Sequence, residues 1–403
     1  MKTGIKINRI FSAHFAVVIL LMSLLFFGKA FSKVPLTSQL YLYDFLLLLV
    51  CGFALTGLRR KIQLPTLLIP LGLSIFYLGV SIVKFYQTEY FVFVFRHYAI
   101  FIYLIVSFIL ANQFFVSKER VLTSINFIIL FSKISLLVQI LFLIYSFSTG
   151  YTNNDIIQGH RYISPIAILG VITFGAYVIA YSKTLITKII LLIITLLIVL
   201  SFGHASAFLS LFLVLFFDLF LRISTRQKII GLVLVLIITL FLLVFPQFRD
   251  GNASWRLMYW GHIIKNVFIE NFGFLGNGFG EPYSSKEFAI YVNEEFNSQV
   301  LENSYNPYSR WLVGPHNSFL TIMFHIGFVP FLILFSPLKK MVSVIFSFQE
   351  INKNLKFLML SFIGLSVWVA FNVILELPHS SLYFWLLFFT ICYFFKYNFN
   401  YEK

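Results

Sequence analysis

Charged side chains are scarce in this chain of 403 residues: Asp, Glu, Lys and Arg make up only 11% of it, and just 15 residues are acidic. Ordinary globular domains contain about 25% charged residues. Hydrophobic residues reach 60% and the mean hydropathy is +0.91. A water-soluble fold of this size cannot bury so much apolar surface. The composition therefore predicts an all-α, polytopic membrane protein.

Cysteine is also scarce, since the chain has only Cys51 and Cys392, both inside long apolar runs. Neither a disulfide nor a metal site of Cys-x-x-Cys spacing is indicated. The 8 histidines include no pair at the i, i+4 spacing of a helical metal site and no His-Glu-x-x-His motif. We therefore expect no metal ion and no other cofactor.

Apolar runs long enough to cross about 30 Å of hydrocarbon recur along the whole chain. They predict a single integral membrane domain, residues 1–403, with about twelve transmembrane helices. The predicted spans are 10–27, 38–57, 63–83, 91–112, 122–147, 164–182, 186–202, 205–221, 229–246, 316–336, 355–376 and 381–397.

The net charge of +15 is distributed unevenly between the connections. If the N-terminus is cytoplasmic, most lysines and arginines lie on the inner side of the membrane. Nine acidic residues then lie on the outer side: Glu89, Asp155, Asp250, Glu270, Glu281, Glu287, Glu294, Glu295 and Glu302. By the positive-inside rule both termini are then cytoplasmic. The basic excess follows from topology, so we expect no nucleic-acid partner.

The long connection of residues 247–313 lies on the outer side, before the tenth span. Residues 254–270 have apolar and aromatic side chains at helical spacing, which predicts an interfacial amphipathic helix with Ser254 as its N-cap. We expect the glycines that follow to end this helix and residues 281–308 to form a lid that contacts a polar ligand. Those glycines are Gly273, Gly276, Gly278 and Gly280.

His316 lies where the long loop meets the tenth span, within the stretch Gly314–Gly327. With an ordinary pKa near about 6.5, a histidine at this position can accept a proton from a sugar hydroxyl at neutral pH. The alternative is a histidine that only anchors the helix. Asn317 is a secondary candidate whose more ordinary role is to cap that helix.

Two arginines on the outer side are candidates for a diphosphate clamp: Arg161 at the mouth of the sixth span and Arg256 on the interfacial helix. A guanidinium presents a planar fork to phosphate oxygens and stays charged at neutral pH. The alternative for each is an arginine that extends to the lipid headgroups.

Further candidates on the outer side have weaker support from the sequence. Arg96 is a possible third phosphate contact, and His262 is one of six histidines that map to the outer half. His204 more simply fits a structural turn, and Glu376 fits a structural acid.

The sequence contains His316-Asn317 followed by nine residues and then Gly327. This pattern resembles the His-Asn-x9-Gly signature of the O-antigen ligase and polymerase family. Trp255-Arg256 at the start of the long loop and Arg161 at an earlier span are also similar to that family's pattern. The resemblance covers residues 155–340. The chain departs from the pattern at Pro330. It also has Gly203-His204 at a position where family members often have Ser-Arg. His204 is therefore a candidate for the function of that arginine.

The resemblance implies a glycosyltransferase that needs no nucleotide sugar or metal. Its donor is a glycan on undecaprenyl diphosphate at the periplasmic face of the bacterial inner membrane. The acceptor is another lipid-linked glycan in a polymerase, which we favour narrowly, or lipid A core in a ligase. Other polysaccharide-assembly membrane proteins are expected partners. A flippase for lipid-linked sugar is the alternative of a different class, and it predicts broken helices in corresponding places of two halves.

Overall fold

The computed structural model describes residues 15–27, 31, 34–36, 41–55, 64–149, 165–201, 205–231, 233, 251–285, 287–288, 290–291, 314–347 and 351–397. These residues form helices joined by short connections, and the only β-pairing among them is an isolated bridge between Pro35 and Tyr41. The all-α fold class predicted from the composition is confirmed for this part of the chain.

The main helices are α1 (Phe15–Phe27), α2 (Leu42–Leu55), α3 (Leu68–Phe85), α4 (Phe91–Phe114), α5 (Lys118–Thr149), α6 (Pro165–Tyr181), α7 (Leu185–Ser201), α8 (Ala205–Arg222), α9 (Gly251–Lys265), α10 (Ser318–Ile326), α11 (Phe328–Phe335), α12 (Lys339–Phe346), α13 (Lys353–Ala370) and α14 (Pro378–Lys396). Short 3₁₀ turns, Pro65–Leu67 and Ser336–Leu338, precede α3 and α12.

Among the described residues, six helical stretches are long and apolar enough to cross a membrane. They are Pro65–Phe85, Phe91–Phe114, Lys118–Tyr145, Ala205–Arg222, Phe328–Phe346 and Lys353–Ala370. Five further apolar helices are shorter. The protein is therefore a multi-pass membrane protein, while the count of twelve spans stays a prediction because most of the span at 229–246 lies outside the described residues.

Helix α6 lies at the centre of the bundle, packed against α5, α7, α8 and α13. Gly364 of α13 allows this packing, because a Cβ there would lie 2.6 Å from Val214 and 2.8 Å from Ile172. By contrast, α7 exposes large apolar side chains at 186, 189, 190, 193, 197 and 200, a helical spacing typical of a face turned to lipid.

The bundle has two chemically different ends. Helix α13 runs from Lys353 to Ala370 and α14 returns from Pro378 to Lys396, each about 27–29 Å long at 1.5 Å per residue. The connection between them lies beside the start of α10, at what we call the His316 end. The opposite end, which contains Lys353 and Lys396, is the Lys396 end.

The predicted span 316–336 is two helices, α10 and α11, divided at Gly327, where φ is +89°. The loop at 273–278 forms hydrogen bonds with the backbone groups that this break leaves without helical partners. The amide of Asn277 donates to the Phe324 carbonyl (2.8 Å), and the Gly273 carbonyl accepts from the amides of Phe328 (2.9 Å) and Val329 (3.0 Å). The backbone groups at the break therefore have hydrogen-bond partners within the protein.

The interfacial helix ends at Glu270, as predicted, and the amide of Gly273, whose φ is +72°, donates to the Val267 carbonyl at 2.8 Å. The glycines of this segment also have a packing role. Helix α9 begins at Gly251 rather than at Ser254, and after Lys265 it continues as a π-helical turn, Asn266–Glu270. The following segment packs tightly: a Cβ on Gly276 would lie 2.1 Å from the His325 carbonyl oxygen. These glycines thus let residues 273–280, the glycine segment, pass between α3, α4 and α10.

Candidate functional site

The backbone at His316 is held in a left-handed turn. Its φ is +51°, which is uncommon outside glycine, and its amide donates to the Gly314 carbonyl at 2.8 Å. The carbonyl of Pro315 accepts a hydrogen bond from Trp260 Nε1 at 2.6 Å. Strained residues of this kind persist only where the surrounding structure fixes them. Trp260 on α9 therefore helps to set the direction of the imidazole.

Asn317 caps α10, as predicted. Its Oδ1 accepts from the amides of Phe319 and Leu320, both at 3.1 Å. This oxygen is therefore occupied in fixing the start of the helix. The role of Asn317 is to define where the turn that contains His316 ends.

Trp255 and Arg256 of α9 lie next to His316. The Trp255 and His316 rings are 5.5 Å apart and perpendicular, and the Arg256 guanidinium lies 5.6 Å from the centre of the Trp255 ring. Arg256 Nη1 donates to the Phe371 carbonyl at 3.4 Å, which ties α9 to the connection between α13 and α14. The sequence-predicted pair of His316 and Arg256 is thus brought together.

Two N–H donors at this place are buried without a hydrogen-bond partner among the described residues: Arg256 Nε and Trp255 Nε1. A buried donor left unpaired costs about 1–3 kcal/mol. The two donors belong to neighbouring residues next to the same histidine. Each of them still needs an acceptor, and an anion is one class of group that supplies it.

The electrostatics of the site favour a neutral imidazole. Burial and, after it, the charge of Arg256 lower the pKa of His316 from 6.5 to about 4. Burial also lowers the pKa of Arg256. At neutral pH the His316 ring is therefore uncharged and has one nitrogen free to accept a proton.

Ser318 joins the start of α10 to the connection between α13 and α14. Its Oγ accepts from the amides of Ile374 (2.9 Å) and Leu375 (3.1 Å) and donates to the Glu376 carboxyl group. The other oxygen of Glu376, Oε1, is buried and has no hydrogen-bond partner among the described residues. Burial raises the pKa of Glu376. The contact between Ser318 and Glu376 joins residues 58 positions apart, so nothing in the local sequence predicts it.

Beneath the site, Tyr283 joins the glycine segment to α10. Its hydroxyl is 2.8 Å from His325 Nε2, and His325 Nδ1 is 2.6 Å from the Gly278 carbonyl. Because a carbonyl only accepts, Nδ1 carries the proton and Nε2 accepts from Tyr283. The ring of His97 on α4 lies 5.2 Å from the His325 ring at an angle of 37°, and His97 Nδ1 accepts from the Gly280 amide at 3.3 Å. This buried cluster fixes the loop beneath the His316 turn.

Two further candidates, Arg96 and His262, are not brought to His316. Arg96 is exposed on α4, where its charge acts on Tyr283. His262 stacks on Phe288 at 4.4 Å, further along α9. Arg161 and His204 lie outside the described residues, so their predicted roles stay predictions.

The described residues contain no group of three His, Cys, Asp or Glu side chains that could hold a metal ion. The arrangement instead offers one uncharged proton acceptor, one guanidinium and unpaired N–H donors. These groups suit a reaction in which a hydroxyl loses a proton close to an anionic leaving group. Comparisons of the chain with protein-family models, with curated proteins and with solved structures give no match in any of the three.

Proposed function

We propose that this protein is a membrane glycosyltransferase of the O-antigen ligase and polymerase type. It takes a glycan from undecaprenyl diphosphate at the periplasmic face of the bacterial inner membrane. In the proposed topology the chain has twelve spans, both termini are cytoplasmic, and residues 247–313 are periplasmic. The observation that supports this most is the convergence of His316 and Arg256 around unpaired donors.

The proposed reaction is a single displacement. A hydroxyl of the acceptor gives its proton to His316 while its oxygen forms a bond to the anomeric carbon of the donor. The bond from that carbon to the diphosphate oxygen breaks, and the diphosphate leaves with the electron pair. Arg256, with Arg161 as the second guanidinium, offsets the charge on the leaving group, so no metal is required. Attack opposite the leaving group inverts the anomeric centre.

The low pKa of His316 is compatible with this role. The His316 pKa of about 4 is that of the site without a ligand, where the charge of Arg256 disfavours a second positive charge on the imidazole. A bound diphosphate brings negative charge next to the ring, which favours the imidazolium form and raises the pKa. His316 then becomes a stronger proton acceptor when the donor is bound.

Two alternatives remain for the proposed activity. A ligase, rather than a polymerase, would transfer the completed glycan to lipid A core. A flippase is suggested by the break at Gly327, since broken helices are typical of transporters. The backbone groups at this break, however, pair with the glycine segment. That pairing favours the enzyme.

The enzyme proposal is tested in cells that produce the His316→Ala and Arg256→Ala variants. Both are expected to reach the membrane in normal amounts and to lose polymerised or ligated surface glycan. The control is Arg226→Ala, an exposed arginine at the Lys396 end. Surface glycan of normal length distribution in both site variants would contradict the proposal.

Deletion of the gene separates polymerase from ligase. If single repeat units remain attached to the surface acceptor, the protein polymerises glycan. If long lipid-linked chains accumulate and none is attached, it ligates glycan.

A further inference from the structure

The Lys396 end contains a recess of about 220 Å³ between the start of α3, the turn before α12 and the end of α14. Three lysines, Lys339, Lys340 and Lys396, line it together with the hydroxyl-bearing Thr66 and Ser336. Its other walls are apolar and are formed by Leu64, Pro65, Pro337, Cys392 and Phe395. None of the lining residues is acidic. The recess therefore combines three ammonium groups with an apolar floor at a membrane face.

Four other cations at this end, Lys188, Arg222, Lys356 and Lys228, have internal partners. Asp218 pairs with Lys188 (3.4 Å), Arg222 (2.9 Å) and Lys356. Buried Lys228 donates to the carbonyls of Ile345 (2.7 Å) and Ser347 (2.9 Å). The fold thus supplies acceptors to these cations from its own residues.

The recess lysines differ in this respect. No carboxylate of the described residues forms an ion pair with Lys339, Lys340 or Lys396. Lys396 Nζ lies over the rings of Tyr393 (5.5 Å) and Tyr397 (5.8 Å), which holds the ammonium group close to the apolar part of the wall. Three like charges around one concavity repel each other unless an anion lies between them.

We propose that this recess binds the phosphate-containing headgroup of an anionic phospholipid. The three ammonium groups and two hydroxyls contact the phosphate, and the apolar wall contacts the glycerol and the first carbons of the acyl chains. A lipid fits better than a free phosphate because the recess opens at the end of membrane-spanning helices and one part of its wall is apolar. This site lies about one helix length from His316, so it does not depend on the proposed glycosyl transfer.

The test is a titration of the full-length protein in neutral detergent with phosphatidylglycerol, phosphatidylcholine or inorganic phosphate, with bound lipid read by mass spectrometry. We expect phosphatidylglycerol to bind and phosphatidylcholine to bind much more weakly. In the Lys339→Gln, Lys340→Gln, Lys396→Gln triple variant, affinity for phosphatidylglycerol should fall by about 10- to 100-fold, since each lysine near an anionic headgroup contributes about 1 kcal/mol.

A matched triple variant removes the same charge at the same end outside the recess: Lys183→Gln, Arg226→Gln and Lys353→Gln, all exposed. It should keep the wild-type affinity. An equal loss of affinity for phosphatidylglycerol in both triple variants would mean that binding depends only on overall charge. That result would overturn the proposal. Phosphatidylglycerol that binds no more tightly than inorganic phosphate would overturn the assignment to a lipid.

If the recess triple variant does not fold, the three single substitutions replace it. Each is expected to weaken phosphatidylglycerol binding severalfold. Wild-type affinity in all three would overturn the proposal. A lysine-to-arginine triple variant, which keeps the charge, should bind like the wild type.

Discussion

The indole N–H of Trp260 donates to the carbonyl oxygen of Pro315 at 2.6 Å, which ties helix α9 to the residue directly before His316. Trp260 also packs against Phe371, with ring centres 5.3 Å apart. Through these two contacts α9 holds the left-handed turn from one side, and Asn317 holds it from the other. The position of the proposed base is thus determined by contacts that Trp260 and Asn317 make with the backbone on either side of it.

Trp260→Phe removes this hydrogen bond and leaves the Pro315 carbonyl without its partner. We expect glycan transfer to fall by about 10- to 100-fold, because small displacements of a catalytic group are costly. The thermal midpoint should change little. The control is Trp385→Phe, since the Nε1 of this buried indole in α14 has no hydrogen-bond partner to lose among the described residues. Equal activity in the two variants would show that the Trp260 contact does not position His316.

Gly276→Ala should destabilise the protein strongly. A Cβ at this position would lie 2.1 Å from the His325 carbonyl oxygen, so either the glycine segment or α10 must move. Overpacking of this kind costs about 1–3 kcal/mol. Gly261→Ala in α9 is the control, since its Cβ has nothing within 4 Å. Thermal unfolding in detergent measures both, and a similar midpoint for the two would contradict the packing described here.

The sequence predicts those features of the fold that depend on local pattern. Apolar runs predict the all-α membrane class, and Asn317 before an apolar run predicts the cap of α10. The aromatic spacing of residues 254–270 predicts α9, although its start is three residues earlier than expected. These predictions succeed because helix formation and capping depend on neighbours within a few residues.

Other features depend on contacts between distant residues. The apolar run that follows Asn317 is continuous, so hydropathy cannot show the break at Gly327, which depends on amides of residues 277 and 278. The sequence identifies Glu376 only as a structural acid and does not show its partner, because Ser318 is 58 residues away. The N–H donors of Trp255 and Arg256 that have no partner within the described part of the chain become visible only when the packing around them is known.

Glu376 is predicted to stabilise the start of α10 through Ser318. Glu376→Ala removes the acceptor of the Ser318 hydroxyl and should lower the free energy of unfolding by about 1–3 kcal/mol. Glu376→Gln keeps an acceptor oxygen and should cost less. Thermal midpoints of both variants test this. An equal decrease of the midpoint in the two variants would show that the hydrogen bond from Ser318 does not contribute to stability.

Glu376 should also make stability depend on pH. Because burial raises its pKa from 4.5, the folded protein holds this proton more tightly than the unfolded chain. Its contribution is therefore complete below pH 4.5 and declines as pH rises through the folded pKa. Glu376→Gln should remove this decline, as measured by thermal midpoints across pH. An unchanged pH profile in the variant would contradict the assignment.

The rate of transfer should fall in acid as His316 becomes protonated. In kcat/KM, which reports the free protein, the decline is expected near pH 4. In kcat the decline should come at higher pH, because bound diphosphate favours the imidazolium form. Initial rates across pH at several donor concentrations measure both. A kcat/KM decline centred at 6.5, the ordinary histidine value, would contradict the buried site.

The central claim is that His316 and Arg256 act together on a lipid-linked diphosphate. The most direct measurement is glycan transfer from undecaprenyl diphosphate to a glycan acceptor by the purified protein in bilayers, without added metal. We predict transfer by the wild-type protein with inversion at the anomeric carbon, and loss of at least about 100-fold in both His316→Ala and Arg256→Ala. Transfer at the wild-type rate by either variant, or no transfer by the wild-type protein with either type of acceptor, would contradict the claim.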